Sequence, residues 1–453
     1  MVAKIAKHTG AASLTRRSLL QGGGALLGAL PLGACHKSSK SSTKATELSF
    51  WNFYAPSEQF AIPSKWFTDL TQAWNANNDV KVNLRYVPPA DYFAGTVVQT
   101  AFSSGEGPDI FLISPGDFLR YYNGGVLADL TPYLSPETIA DHIDGVLDTR
   151  KVDGKIYGLP MEVEPLAMYY SLQAFEKAGL SEADLPKTWD QLLAVARKLT
   201  KKDQFGVLFE TTPGYYQNFT WYPFMWMGGA SAVAGPGTTG FNAPGAIKAL
   251  EFWQRAVQDG VCPRKCQGDG GSDAIANLAS GYCAMQQTGI WSISQLAQKA
   301  PSFPYGVFRL PVPDGGTYTT AMGGWAFVAN AKGRNPEAAA KFVAWALGST
   351  GPDGAERCLQ WNTVAKTNLP TRKSVYQAAE RAGTFSKGPL ATFMKDVVKG
   401  GRGEPRYTPE VYRVVSDAIQ ACQLGGSDPA KSAAEAATKI DLFLKQYQGA
   451  RML

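Results

Sequence analysis

Apolar and polar positions follow two different periods over the first part of the chain. Segments 47–54, 80–87 and 110–113 alternate or run apolar as strands do. Segments 65–77 and 92–102, which lie between them, repeat apolar residues at helical spacing. The order strand, helix, strand, helix, strand predicts an α/β unit with a parallel sheet and right-handed crossovers.

The stretch 153–171 is almost continuously apolar and aromatic, yet it contains Glu162 and Glu164. At strand spacing the two carboxylates point to the same face. Because a buried unpaired carboxylate is costly, such a run is typical of a strand that borders a wet cleft. Pro160 and Pro165 flank the pair and indicate a bend or a sheet edge. We interpret the stretch as a bent strand that connects two lobes; an edge strand with a solvated polar face is the alternative.

Aromatic residues gather in segments that we expect to border this cleft. Segment 215–222 carries more rings than one buried helix face needs. The strand predicted at 284–291 ends in Trp291, and paired glycines precede Trp325. Rings that face a cleft suit flat ligands with apolar C–H faces, above all sugars. A fully buried helix is the alternative for segment 215–222.

The carboxyl ends of the predicted strands offer further candidate contacts. Trp51 and Asn52 lie where the first strand gives way to a loop, and segment 114–117 follows the third strand. Ligands of open α/β sheets bind at these ends. Core packing is the alternative for Trp51.

Length and charge narrow the class of protein. A chain of 453 residues is too long for one small core and predicts two or three lobes. Four basic residues and no acids precede Cys35, so the rest of the chain has 40 basic and 38 acidic side chains, net +2. No basic stripe remains, which argues against a nucleic-acid partner.

The first 35 residues have the pattern of an export signal. Arg16 and Arg17 precede a weakly apolar stretch that ends in Leu-Gly-Ala-Cys at residue Cys35. A segment this short, with small residues before its end, is a signal peptide rather than a spanning helix. The motifs resemble the twin-arginine signal and the bacterial lipobox, so we expect a lipid on Cys35 and a flexible Ser/Lys/Thr tether over 36–46.

Residues for nucleophilic or metal chemistry are sparse. His142 is the only histidine beyond the signal and tether, and neither a GxSxG nor a GxxxxGK[ST] motif is present. The GxGxxG match at 235–240 does not follow a strand, so we do not expect a dinucleotide site. The remaining five cysteines predict a local disulfide or buried thiols rather than a metal site. Glu162 and Glu164 on one strand cannot flank a glycosidic bond from both sides, so catalysis has no support in the motifs.

Seven segments together resemble the extracellular solute-binding proteins of bacterial carbohydrate importers, the maltose-binding-protein-like family. The likeness covers nearly everything after residue 47 and extends to the glycerol-phosphate and glycerophosphodiester binders of that family. The segments are PDIF at 108–111, GVLADLTPYL at 125–134, DGKIYGLPMEVEPLAMYYS at 153–171, PKTWDQLL at 186–193, GYCAMQQTGIW at 281–291, YGVFRLPVP at 305–313 and GGWAFVANAKGRNPEAAAKFVAWAL at 323–347.

The resemblance implies an α/β, two-lobed periplasmic-binding-protein-like fold of type II, with the ligand cleft between lobes joined by a multi-strand hinge. It places the crossings near 158–164, 305–311 and 348–354. The N-terminal lobe would then comprise 47–160 and 310–348, and the C-terminal lobe 161–309 and 349–453.

The resemblance also implies which residues touch the ligand. Either Tyr216 or Trp221 would be the aromatic contact of the central helix, and Arg406 would act as it does in phosphodiester binders. Where maltose binders have an Asp-Lys pair, this chain has Ala55-Pro56, which argues against maltose itself. The full candidate set is Trp51, Asn52, Tyr92, Ser114, Asp117, Glu164, Tyr216, Trp221, Trp291, Gly324, Trp325 and Arg406.

The expected function is that of a receptor held to the outside of the cytoplasmic membrane by lipid. It would capture a sugar or glycosyl-type solute, as a monomer and without a cofactor, and hand it to an ABC permease. Binding and hinge closure would be its work, with no bonds broken. A glycerophosphodiester binder of the same family and a secreted glycosidase are the alternatives.

Overall fold

The computed structural model describes residues 46–57 and 60–452. The predicted export signal, the lipidation site Cys35 and nearly all of the tether fall in residues 1–45, outside the described residues. Among the residues that are described, every helix is too short or too polar to cross a membrane.

The described chain contains both helices and strands. The strands are β1 Glu47–Asn52, β2 Lys81–Tyr86, β3 Ile110–Ile113, β4 Lys151–Val152, β5 Lys155–Ile156, β6 Leu159–Pro160, β7 Glu164–Ser171, β8 Val233–Gly235, β9 Thr238–Thr239, β10 Met285–Gly289, β11 Tyr305–Phe308, β12 Thr320–Gly323, β13 Ala326–Ala329 and β14 Gly401–Gly403. The helices are α1 Ala61–Asn77, α2 Pro89–Ala94, α3 Thr96–Ser103, α4 Phe118–Asn123, α5 Pro136–Asp141, α6 Leu172–Lys177, α7 Trp189–Leu199, α8 Tyr215–Met227, α9 Pro244–Gln258, α10 Ser292–Lys299, α11 Pro336–Gly348, α12 Pro352–Gln360, α13 Lys373–Arg381, α14 Gly388–Thr392, α15 Pro409–Gln423 and α16 Pro429–Leu444.

The first lobe is built on a five-stranded sheet of order β2-β1-β3-β13-β6. Its first three strands pair in parallel, which confirms the prediction from the sequence pattern. The apolar face of α1 packs on this sheet because Phe67 and Leu70, three positions apart, lie on one side of the helix. Phe67 stacks on Phe327 of β13, so the helix is anchored to the centre of the sheet.

The second lobe is built on a sheet of order β10-β7-β12-β14, with β11 also paired to β7. Every residue of β7 is buried, as its continuous apolar run requires. Helices α8, α9, α15 and α16 pack against one another beside this sheet. Helix α7 begins with a capping box formed by Thr188 and Gln191.

Two of the crossings between the two sheets lie side by side. One crossing joins β6 to β7, and the other joins β12 to β13 through Gly324 and Trp325. Gly324 has a φ of +132°, and a Cβ there would lie 2.1 Å from the carbonyl oxygen of Glu162. Only glycine therefore allows the two crossings to touch.

Two crossings lie later in the chain than the positions expected near 305–311 and 348–354. Strands β11 and β12 both belong to the second sheet, so the chain changes sheets at 324–325, later than 305–311. Helix α12 still lies on α1, where Trp66 Nε1 donates to the carbonyl of Arg357 at 3.0 Å. The return to the second sheet therefore comes after 348–354. In both cases the amphipathic pattern of a strand or helix does not reveal which sheet it joins.

Other sequence-based expectations are resolved locally. The segment 205–210 makes only single bridges, from Phe205 and Leu208 to the edge of the second sheet. The GxGxxG segment forms the β8–β9 hairpin. The five cysteines of the described chain are free and buried, so the buried-thiol alternative holds and no disulfide forms.

Candidate functional site

A cleft lies between the lobes beside the two crossings, with about 1080 Å³ of empty space including the part open to solvent. Residues from both lobes line it. Its aromatic lining residues are Phe53, Tyr54, Phe60, Phe93, Tyr215, Tyr216, Phe219, Trp291 and Trp325.

The first-lobe wall is an interlocked group of rings. Phe93 and Trp325 stack with ring centroids 5.5 Å apart, and Phe53 meets Trp325 edge-on at 4.8 Å. The backbone N–H of Trp325 donates to Glu162 Oε1 at 2.9 Å, which fixes the crossing from which the indole projects. Trp325 is half-buried, so part of its ring is available to a ligand.

The second-lobe wall comes from the start of α8 and the end of β10. The first turns of α8 present Tyr215, Tyr216 and Phe219 to the cleft, whereas Trp221 beyond them is fully buried. Trp291 follows β10 and lies 6.1 Å from the ring of Tyr216. Both interpretations of the aromatic segment therefore apply, each to one end of the helix.

An ion pair lies at the floor of the cleft, where the crossings meet. Glu164 is the first residue of β7, and its Oε1 is 2.5 Å from Nζ of Lys366. The same ammonium donates to the hydroxyl of Tyr54 at 3.0 Å. Glu162 lies one strand repeat earlier and accepts from Trp325 N–H and from Trp361 Nε1. Both predicted acids thus border the hinge, but only Glu164 lines the cleft.

Burial changes the titration of these groups. Desolvation raises the pKa of Glu162 to about 7, against the opposing effect of the Lys366 charge. Desolvation lowers the pKa of Lys366, but the charges of Glu164 and its neighbours outweigh it and the net shift is upward. Lys366 is therefore protonated across the physiological range, and the floor of the cleft holds a cation beside Glu164.

Six of the twelve candidate residues line the cleft. They come from the loop after β3, both crossings, α8 and the end of β10. They are Ser114, Glu164, Tyr216, Trp291, Gly324 and Trp325.

Three candidates, two at the end of β1 and one in α2, lie in the core of the first lobe instead. Trp51 is buried beneath the guanidinium of Arg85, 4.0 Å from the ring centroid. Asn52 is fully buried, and its Oδ1 accepts from the backbone N–H of Tyr54 at 2.9 Å. Tyr92 fixes α2 to β3, since its hydroxyl donates to the carbonyl of Leu112 and accepts from the N–H of the same residue, both at 2.8 Å. These side chains shape the cleft wall without reaching it.

Asp117 and Trp221 also do not line the cleft, and their side chains make structural contacts. Asp117 pairs with Arg120 at 3.2 Å on the next turn. Trp221 packs on Phe241 inside the second lobe.

Arg406 is turned away from the cleft. Its guanidinium donates to the carbonyls of Lys151 and Arg451 at 2.6 and 3.0 Å, and it lies over the ring of Phe118. It therefore joins the end of the chain to the first lobe. The sequence position alone does not show this, because the three partners lie in different parts of the chain.

The structure adds cleft residues that sequence reasoning missed. One is Phe53, which lies in the aromatic run at the end of the first strand. Tyr54, beside it, was indicated by its place at the same strand end as Trp51 and Asn52. Another is Lys366, which directly follows a π-helical segment, Trp361–Ala365, and nothing in its surroundings in the sequence marks it. The remaining polar and charged residues of the second-lobe rim are Asp269, Ser272, Ser294, Gln295, Gln298 and Lys299.

The arrangement is suited to holding a ligand between stacked rings and hydrogen-bonding groups. Among the described residues, 46–57 and 60–452, no group of three or more histidine, cysteine or acidic side chains could hold a metal ion. The charged groups of the floor are already paired with each other, which suits them to orient hydroxyl groups.

Comparison with known proteins matches residues 58–351 to a family model described as bacterial extracellular solute-binding protein. A Brucella abortus protein is 27% identical, over 86% of this chain and 92% of its own length. The multiple sugar-binding protein of Streptococcus mutans is 25% identical, over 69% of this chain and 74% of its own length.

Solved structures share the fold. An ABC substrate-binding protein of Listeria monocytogenes in complex with cycloalternan superposes with a TM-score of 0.72 at 22% identity, covering 88% of this chain and 99% of its own. A Mycobacterium tuberculosis protein in complex with glycerophosphocholine gives 0.71 at 19% identity, covering 88% and 98%. The two-lobed architecture of these proteins is therefore that of this chain.

Proposed function

Because the chain belongs to the family of bacterial extracellular solute-binding proteins, we propose that it captures a carbohydrate or glycosyl-type solute in the cleft and delivers it to an ABC permease. The family comprises binding proteins rather than enzymes. In line with the sequence motifs, the proposal includes export by the twin-arginine route, a lipid anchor on Cys35 and action as a monomer.

The observation that carries this proposal is the pair of aromatic walls, one from each lobe. Trp325 on one side and Trp291 on the other offer flat faces to the apolar C–H surface of a sugar ring. Between them, Ser114, Glu164 and Lys366 offer hydrogen-bonding groups for hydroxyls. The sugar-binding name of the Streptococcus mutans relative supports the same ligand class.

Contacts between the lobes support a clamping mechanism. Arg120 of α4 donates to the hydroxyl of Tyr412 of α15 at 2.6 Å, and Asn123 donates to Tyr447 at 3.0 Å. A solute that touches both walls adds its own contacts to these and favours the arrangement in which the lobes meet.

A glycerophosphodiester is the second candidate ligand, and one observation favours it. Lys366 and Lys299 place cations on the cleft lining, and a protein of the same fold was solved with glycerophosphocholine. The arginine expected to hold the phosphate, Arg406, instead binds backbone carbonyls elsewhere.

Titration calorimetry on the purified protein tests the proposal. The ligands are mono-, di- and trisaccharides and glycerophosphocholine, with product analysis of each mixture. We expect saturable heat with at least one saccharide and no change in that saccharide. Hydrolysis would overturn the receptor assignment in favour of a glycosidase, and binding of glycerophosphocholine alone would establish the second candidate.

Arg406→Ala completes this experiment. Because the guanidinium contacts the chain and not the cleft, we expect unchanged affinity for every ligand and a lower melting temperature. A loss of glycerophosphocholine binding by about 1.5–3 kcal/mol, the usual contribution of a charge-assisted contact, would show that Arg406 reaches the ligand after all.

A further inference from the structure

Lys366 is a buried cation at the floor of the cleft, and its position suggests a role beyond holding the hinge. We propose that Lys366 is a specificity-determining residue, which balances the charge of Glu164 so that the site takes uncharged polyhydroxylated solutes and discriminates against amino sugars and acidic ligands. This inference rests on the proposed function, because it names the charge class of the solute bound in the same cleft.

The first step is that the pair faces the ligand. Glu164 and Lys366 both line the cleft, with side chains that are 6% and 11% exposed. The ammonium has three N–H donors, and bonds to Glu164 and Tyr54 account for two of them within the described residues. The third N–H is the donor that a hydroxyl oxygen of a solute would meet.

The second step is that this pair supplies the buried charged side chains of the cleft lining. The other charged lining residues, Asp269 and Lys299, are exposed at the rim, where solvent and salt screen them. Behind the crossing, Glu162 is held by two N–H groups, and below its pKa of about 7 it is largely neutral. At pH 6 the lining of the floor therefore has one positive and one negative group. Behind it, Arg150 is a buried cation whose guanidinium donates to the carbonyl of Gly324 at 2.5 Å, and Glu404 is largely neutral because burial raises its pKa to about 8.

The third step is the cost of adding a further charge. A ligand ammonium placed on this floor would be buried beside Glu164, and a ligand phosphate beside Lys366. Because Glu164 and Lys366 already pair with each other, neither would fully compensate the ligand charge, and burial of that charge would be unfavourable. A hydroxyl has no such cost, since it accepts from Lys366 and donates to Glu164. Removing one member of the pair would therefore change which ligand charge the site prefers.

The experiment measures dissociation constants at pH 6 for matched trimers of glucose, glucosamine and glucuronate, and for trimers of galactose, galactosamine and galacturonate. The wild type should bind either the glucose-based or the galactose-based set, and within that set we expect the neutral trimer to have the lowest dissociation constant. In Lys366→Met the uncompensated Glu164 should shift the preference toward the amino sugar by about 10-fold or more. In Glu164→Gln the uncompensated Lys366 should shift it toward the uronate by a similar factor.

Three further variants separate specificity from stability. Lys366→Arg keeps the charge and should keep the neutral preference. Lys366→Met combined with Glu164→Gln removes both charges and should restore it. Arg372→Met removes a different buried cation, which pairs with Asp141 at 2.7 Å and does not line the cleft. This variant should have a lower melting temperature but the same order of ligand affinities.

The outcomes are distinct. A wild type that prefers a charged trimer, or single variants that lose affinity equally for all three charge classes, would overturn the role of Lys366 while leaving sugar capture intact. If the single variants do not fold, the role of Lys366 is decided by the preference of the wild type and of Lys366→Arg, both of which should favour the neutral trimer. No saccharide binding by the wild type would instead overturn the proposed function, and the charge assignment with it.

Discussion

The two walls of the cleft are both aromatic, but they are supported in different ways. On the first lobe, Trp325 is held by Phe53 and Phe93 and by backbone bonds at the crossing. On the second lobe, Trp291 leans on Tyr216 at the end of a strand, and Tyr215 is held by a buried carboxyl, since its hydroxyl donates to Glu404 at 2.7 Å. Both walls therefore touch a buried carboxyl, Glu162 behind the first and Glu404 behind the second, but the indole of the first wall is also enclosed by packed rings.

The two lobes also differ in where the candidates predicted from the sequence lie. On the second lobe, an aromatic residue directly after a strand, Trp291, does line the cleft. On the first lobe, the residues at the end of β1 are covered, because Tyr92 of α2 fixes its helix over the neighbouring strand ends. A strand end is a good place for a ligand only where no helix occupies it.

The largest expected effect comes from removing the second-lobe platform. Trp291→Ala should weaken binding of the best saccharide by about 2–3 kcal/mol, or roughly 30–150-fold, because a buried aromatic contact of the ligand is lost. Calorimetry measures this. Trp345→Ala is the matched control, since Trp345 is a half-buried indole packed on Trp74 and does not line the cleft. Equal affinity of the Trp291 variant and the wild type would show that the platform does not touch the solute.

The next effect concerns the support of the first-lobe wall. Tyr92→Phe leaves the N–H and carbonyl of Leu112 without their buried partner, and should lower the free energy of unfolding by about 1–2 kcal/mol. Denaturant unfolding measures the loss, and affinity should not change. Tyr282→Phe removes a tyrosine–carbonyl bond at an exposed site and should cost less. A weaker affinity in the Tyr92 variant with unchanged stability would return Tyr92 to the ligand contacts.

The smallest effect concerns the titrating support of the second wall. Burial raises the pKa of Glu404 from 4.5 to about 8, with Tyr215, Asp117 and Arg150 as further influences. The folded state then binds a proton more tightly than the unfolded state, so this contribution to stability is complete below about pH 4.5 and is lost as the pH rises toward 8.

Glu404→Gln tests this dependence, because the amide keeps the hydrogen-bonding shape but does not titrate. Melting temperatures between pH 5 and 8.5 should fall less in the variant than in the wild type. Glu162, which titrates near pH 7, is present in both proteins and contributes equally. Parallel curves for the two proteins would mean that Glu404 titrates in the folded state as it does in the unfolded state.

Local pattern was enough for the elements and for part of the site. The periods of apolar residues predicted the parallel β1–β2–β3 unit, and the acids within an apolar run predicted that Glu164 would border a cleft. These features depend on neighbours in the sequence, where strand and helix periodicity and the cost of a buried charge already operate.

The tertiary structure decided what depends on partners distant in the chain. Lys366 becomes part of the floor only because the segment after α12 meets Glu164, 202 residues away. Arg406 is drawn from the cleft by carbonyls of Lys151 and Arg451. Trp51 and Trp291 both lie at the end of a strand, yet Trp51 is in the core of the first lobe and Trp291 lines the cleft. The hydrophobic pattern predicts that a side chain will be buried, whereas the packing of whole lobes determines which residues it contacts.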